Sequence, residues 1–171
     1  MNNPWLSRIV AIASVVAIAT ALFVMLAQQS GSGHSRLVVT KVFVPPESVT
    51  ALSFSPSSQL LAVGGLHGTV IVWDLRTCTQ LFTLSGHTQT VRAVAFCPVG
   101  RTIASGAIDR LIKLWDVDTG KLIRTMSGHS AGVTALCFSC DGNSLATGSL
   151  DGSVKLWDYR RGVNTATFTG P

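Results

Sequence analysis

The stretch "GSLDGSVKLWDYRRG" (residues 148–162) decides the fold, because the chain says nearly the same thing twice more. Forty-two residues earlier stands "GAIDRLIKLWDVDTG" (106–120), and forty-two before that "GGLHGTVIVWDLRTC" (64–78). The spacing holds well beyond these phrases. "VTALSFSP" (49–56), "VRAVAFCP" (91–98) and "VTALCFSC" (133–140) keep it, as do "LLAVGG" (60–65), "TIASGA" (102–107) and "SLATGS" (144–149). Each piece is short, apolar or β-branched, and bounded by Gly, Asp or Ser, which is how strands read. Every unit therefore offers four strands, expected in the first at 49–54, 59–64, 69–73 and 79–84 and in the others 42 residues on. One more apolar stretch, "LVVTKVFV" (37–44), precedes them and aligns with the fourth strands. No helical periodicity appears after residue 36, so the repeat region is expected to be all-β.

Internal periods of roughly 40–45 residues are those of propeller blades. Gly86-His87 and Gly128-His129 open a unit, and Trp73-Asp74, Trp115-Asp116 and Trp157-Asp158 close its third strand. In these residues the chain resembles the WD-repeat family of β-propellers. The resemblance covers about residues 45–171 and implies three four-stranded blades of a partial propeller; the composition of residues 9–27 adds the expectation of one N-terminal apolar helix before them. It implies repeats at 45–88 (degenerate), 89–130 and 131–171, with 37–44 as an extra outer strand. It also implies a scaffold that shows loops to protein partners without catalysis.

By the same resemblance, four side chains of a unit form one hydrogen-bonded network. In the second unit these are His87, Ser105, Asp109 and Trp115, and in the third His129, Thr147, Asp151 and Trp157. Their donors and acceptors match: indole only donates, a hydroxyl accepts and passes on, imidazole does both, and carboxylate accepts. The first unit has Pro45, Val63 and His67 at the His, hydroxyl and Asp positions, so its network is expected to be absent while its strands remain. Ser, His and Asp also make hydrolase triads, but no G-x-S-x-G elbow surrounds Ser105, and the set recurs with Thr147 as structural repeats do. The family's partner loops fall here near 65–68, 85–90, 107–110, 127–132 and 149–152, with Thr88, Thr90, Ile108, Arg110, Ser130 and Leu150 as candidate contacts.

Composition narrows the remainder. Residues 9–27, "IVAIASVVAIATALFVMLA", hold no charge and would span about 28 Å as a helix, close to a bilayer's hydrocarbon thickness. A buried core helix would show a polar face, and a cleaved signal peptide a shorter apolar run with a small residue where Met25 stands, although Ser30-Gly31-Ser32 offers a usable cleavage site a little later. The expected order is thus a flank at 1–8, a transmembrane helix or signal anchor at 9–27 and a flexible linker at 28–36. A single-pass membrane protein follows from this order. Positive charges on the two sides nearly balance, so orientation stays open on that count.

Net charge is +5, yet the bases are interspersed with acids, as Arg110 and Lys113 are around Asp109 and Asp116. That is a solvated surface rather than a nucleic-acid groove. Cys137 and Cys140 lack a second pair at zinc spacing, and all four cysteines align with small or turn residues of other units. No metal, cofactor or small-molecule substrate is expected. The absence of a disulfide framework favours a reducing, cytoplasmic side for the repeats.

Propellers typically close with about four to eight blades, so three are geometrically incomplete. Either self-association or a protein partner should complete the ring, or the chain is a fragment of a larger propeller.

Overall fold

The computed structural model of the chain describes residues 48–170 and, before them, four two-residue strands. These are β1 (Val10–Ala11), β2 (Leu22–Phe23), β3 (Leu26–Ala27) and β4 (Val42–Phe43). β1 pairs with β3 and β2 with β4, both antiparallel. They belong to a unit spanning Met1–Ser48; the repeats form a second unit, Val49–Pro171. The rest of the expected 9–27 helix, the 28–36 linker and the 37–44 strand lie outside the described residues. No helix among the described residues is long and apolar enough to cross a membrane.

Twelve strands build the second unit, four to a sheet. Blade 1 is β5 (Val49–Phe54), β6 (Leu60–Gly65), β7 (Thr69–Asp74) and β8 (Thr79–Ser85). Blade 2 is β9 (Val91–Phe96), β10 (Thr102–Ala107), β11 (Ile112–Asp116) and β12 (Leu122–Met126). Blade 3 is β13 (Val133–Phe138), β14 (Leu145–Ser149), β15 (Ser153–Asp158) and β16 (Val163–Thr169). In each, the strands pair antiparallel in chain order. The first strands β5, β9 and β13 stand side by side, which makes them the inner strands.

Strand alternation gives each sheet two faces, and blade 2 uses both because sheets stack. One core lies between blades 1 and 2, with Ala62, Val70, Val72 and Leu84 meeting Val91, Phe96, Ile103 and Trp115. The other lies between blades 2 and 3, where Ala104, Ile112, Leu114 and Met126 meet Val133, Phe138, Leu145 and Trp157. Gly64 and Gly106 permit the close approach. A Cβ at Gly64 would lie 2.8 Å from a Val91 methyl, and one at Gly106 2.6 Å from a Val133 methyl.

Two bulges recur in every blade. Trp73, Trp115 and Trp157 pair one residue out of step with the fourth strand, leaving Leu81, Ile123 and Thr165 as the extra residues. Thr50, Arg92 and Thr134 are extra on the first strands. Bulges sharpen the local twist that radial sheets need.

Candidate functional site

The third strand carries its Trp one residue before its end, within reach of the second strand's hydroxyl. Trp115 Nε1 donates to Ser105 Oγ at 2.8 Å, and Ser105 lies 2.8 Å from His87 Nε2. The Ser105 proton must then go to Nε2, which fixes His87 as the tautomer protonated on Nδ1. That Nδ1–H donates to Asp109, 2.9 Å from Oδ2 and 3.1 Å from Oδ1. Asp109 also accepts from the backbone N–H of Thr88 at 3.0 Å and of Leu111 at 3.0 Å. The β10–β11 turn is thereby tied to the loop before β9. Burial holds His87 below the ordinary imidazole pKa, outweighing the opposite pull of Asp109.

Blade 3 repeats the arrangement. Trp157 Nε1 donates to Thr147 Oγ1 at 2.9 Å, Thr147 lies 2.7 Å from His129 Nε2, and His129 Nδ1 lies 2.9 Å from Asp151 Oδ2. Ser130 N–H donates to Asp151 at 2.9 Å, and Ser153 donates through both its backbone N–H (2.9 Å) and its hydroxyl (2.6 Å). Burial alone would raise the Asp151 carboxyl. The Ser153, Ser130 and His129 hydrogen bonds win and hold it far below the usual carboxylate range. Ser153 was not singled out from the sequence; its signal was a serine two residues after an Asp, the spacing of an Asx turn.

This chemistry is structural. Ser105 is wholly buried, its proton is committed to His87 and its oxygen to Trp115, so no substrate carbonyl can reach it. Among the described residues, no three His, Cys, Asp or Glu side chains are placed to hold a metal ion. Blade 1 has Val63 at the hydroxyl position, where an apolar side chain asks for no partner.

The Asp that follows each Trp has its own task. Asp74 Oδ1 accepts from Arg76 N at 2.7 Å and Thr77 N at 3.1 Å, and Asp116 Oδ1 accepts from Asp118 N, Thr119 N and the Thr119 hydroxyl. Asp158 accepts from Arg161 N at 3.0 Å. Each carboxylate closes the turn between third and fourth strands. These backbone and hydroxyl donors hold Asp74 and Asp116 below the ordinary carboxylate pKa.

The remaining candidate residues fall at the same end of the blades as the networks. Thr88 and Ser130 are exposed and give their backbone N–H groups to Asp109 and Asp151. Thr90 Oγ1 donates to the Leu66 carbonyl at 3.0 Å, and Ile108 N to the Thr90 carbonyl at 3.0 Å, which joins neighbouring blades. Arg110 is exposed and holds a φ of 71°, where Gly68 and Gly152 stand in the other turns. Leu150 is 67% exposed. Leu66, its counterpart in blade 1, is also exposed and escaped the sequence reading, although the repeat alignment places it.

A cleft of 340 Å³ between blades 2 and 3 is lined by Thr102, Leu114, Ile123, Arg124, Tyr159 and Arg160. Its polar groups are already engaged: Tyr159 OH donates to the Gly142 carbonyl at 3.1 Å, and Arg124 Nη2 to the Arg160 carbonyl at 3.3 Å.

Stacked four-stranded sheets, each pinned by a Trp–hydroxyl–His–Asp chain where the residues allow it, define a partial β-propeller. The WD domain, G-beta repeat (WD40) model matches residues 37–74, 78–116 and 120–158, and the chain belongs to that family. It is similar to the WD repeat-containing protein srw1 of Schizosaccharomyces pombe, with 40% identity over 57 residues. The matched segment is 33% of this chain and 10% of that relative, so the chain spans only a small part of its length.

Proposed function

We propose that the chain is a three-blade portion of a larger WD40 propeller and serves as a non-catalytic, regulatory subunit of a multiprotein assembly. The observation that carries this reading is the flank of blade 3 turned away from blade 2, where Val154 and Phe168 are exposed although their counterparts in blade 2 are buried. Propellers close with about four to eight blades, so a three-blade sheet stack asks for more protein. Partners read the loop end of the blades through Thr88, Thr90, Ile108, Arg110, Ser130 and Leu150, where few charges stand and small or apolar side chains dominate. Such a surface suits an apolar peptide or loop better than an acidic or phosphorylated one.

Sedimentation of the tagged full-length chain from cells tests this. A particle well above the chain's own 18.0 kDa, reduced by Ile108→Asp with Leu150→Asp, is the expected result. Sedimentation as a single chain, untouched by those changes, would refute it.

A second reading rests on residues 9–27, nineteen residues without charge: the scaffold is tethered to a membrane. Such a chain stays with the membrane fraction through salt and alkali and leaves only in detergent. Release by alkali alone would remove the tether and leave the scaffold reading intact.

A further inference from the structure

The two interfaces between blades are built from equivalent positions, and they differ at the end opposite the hydrogen-bonded networks. Between blades 1 and 2, Leu60, Phe82 and Val117 pack against the core. The Phe82 ring lies over the β11–β12 turn, where a Cβ at Gly120 would come within 2.6 Å of it. Forty-two residues on, the same three positions hold Thr102, Arg124 and Tyr159. Arg124 takes the path of Phe82: a Cβ at Gly162, in the β15–β16 turn, would lie 2.8 Å from its Cδ. Its stem is placed as the ring is, but a guanidinium stands where an apolar side chain closes the other interface. This is where the 340 Å³ cleft opens, with Leu114 and Ile123 as its apolar lining.

Charge changes at the same place. Arg160, the second cationic side chain of the cleft, holds the position that Asp118 holds in blade 2. Asp118 is paired with Arg101, and Arg161 lies 3.6 Å from Asp158. Among the described residues, neither Arg124 nor Arg160 has a carboxylate at ion-pair distance, and the cleft lining contains none. Arg124 spends one N–H on the Arg160 carbonyl at 3.3 Å, and Arg160 one on the Gly142 carbonyl at 3.5 Å. A guanidinium has five, so most of the donors are left over. The Arg160 guanidinium lies 5.8 Å from the centre of the Tyr159 ring, which holds it against the cleft wall.

We propose that this cleft is a second docking site, for an acidic segment of a partner protein that sets a carboxylate against Arg124 and Arg160 and an aliphatic side chain against Leu114 and Ile123. Charge complementarity names the occupant. Two planar guanidiniums without an acid of their own match a carboxylate through paired N–H···O bonds, and the apolar lining beside them takes an apolar neighbour. The site goes beyond the scaffold reading. It stands at the opposite end of the blades from Ile108 and Leu150 and selects the opposite chemistry.

The probe is a rhodamine-labelled hexapeptide of alternating leucine and aspartate, titrated with the full chain and followed by fluorescence anisotropy. Replacing its aspartates by asparagine, or its leucines by serine, should weaken binding about tenfold or more, through loss of the charge-assisted bonds or of the apolar contact. Arg124→Phe installs the blade 1 residue and Arg160→Asp the blade 2 residue; each should cost the leucine and aspartate peptide about tenfold or more in affinity. Both arginines are exposed, and unchanged melting shows that the variants fold. Arg76→Asp makes the same change of charge at the same turn position of blade 1 and should alter binding by less than about twofold.

Anisotropy that stays flat up to about 1 mM chain would overturn the proposal. So would an aspartate peptide bound no better than its asparagine counterpart, or equal losses for Arg76→Asp and Arg160→Asp, which would reduce the effect to net charge. Inorganic phosphate tests the anion alone: if it competes as well as unlabelled peptide, the cleft holds a bare anion and the peptide assignment falls. Ile108→Asp with Leu150→Asp should leave the peptide bound. Loss of binding in that variant would move the peptide to the loop end and overturn the cleft assignment, whereas a single-chain particle in cells would sink the assembly reading alone.

Discussion

A hydroxyl with one proton and two buried nitrogen neighbours is the point on which each complete network turns. In Ser105→Ala, Trp115 keeps a donor and His87 an acceptor with nothing to meet, both out of reach of water. Leaving such groups unpaired costs about 1–3 kcal/mol each, so urea unfolding should show a loss of about 2–6 kcal/mol. Ser105→Thr should lose under about 1 kcal/mol, since blade 3 runs the same chain through Thr147. Equal losses for alanine and threonine would mean that the oxygen carries no weight. Protonation acts on the same groups. His87 is held below its ordinary value of 6.5, so below that pH the unfolded chain takes up a proton that the folded chain refuses. Its stabilising contribution is therefore full above 6.5 and lost as pH falls beneath it. Asp151, held below 3.8, keeps its contribution above that value and loses it in stronger acid. Denaturation midpoints should fall between pH 7.5 and 5, and again below 4; a flat profile from 7.5 to 5 would contradict the His87 assignment.

Strands and turns repeat because the sequence repeats, yet not all of their geometry was legible in it. The expected strands 49–54, 59–64, 69–73 and 79–84 match Val49–Phe54, Leu60–Gly65, Thr69–Asp74 and Thr79–Ser85 to within a residue, since alternating apolar runs bounded by Gly, Asp and Ser leave few other registers. The bulges at Thr50, Arg92 and Thr134 were invisible, because a bulged position has no composition of its own: two threonines and an arginine fill it. Cys137 aligns with Ala95, which packs against the core between blades 2 and 3, yet is exposed, since its burial depends on a neighbouring sheet that pattern alone does not supply. Cys78 shows the converse, a residue whose oddity the alignment did reveal. It holds a φ of 58° at the turn where Gly120 and Gly162 hold 66° and 74°. A side chain in that region costs about 1–2 kcal/mol of strain, part of which glycine's larger unfolded-state entropy offsets. Cys78→Gly should therefore stabilise the chain by about 0.5–1 kcal/mol in urea. The reverse change, Gly120→Cys, should destabilise it more than Cys78→Gly helps, as its Cβ would lie 2.6 Å from the Phe82 ring. A neutral Cys78→Gly would mean that the turn relaxes without strain.

Stacked repeats touch only their neighbours, so the stability of a blade is its own plus that of its interfaces. Blade 2 packs on blades 1 and 3 through two separate cores, while the far face of blade 3 packs on nothing in the described structure. The same side-chain truncation should then have unequal effects at positions that the repeat makes equivalent. Ile112→Ala removes three carbons from a filled core and should cost about 2–4 kcal/mol. Val154→Ala, 42 residues on, removes two carbons already in water and should cost less than about 0.5 kcal/mol. Hydrogen exchange should show the same polarity without any mutation, with amides of β13–β16 exchanging through smaller openings than those of β9–β12. Within a larger propeller, a further blade over that face would close both gaps together: the cost of Val154→Ala would rise towards that of Ile112→Ala, and β15 and β16 would gain protection. If Val154→Ala already costs as much as Ile112→Ala in the single chain, the far face of blade 3 is covered by other means and the inequality between flanks disappears.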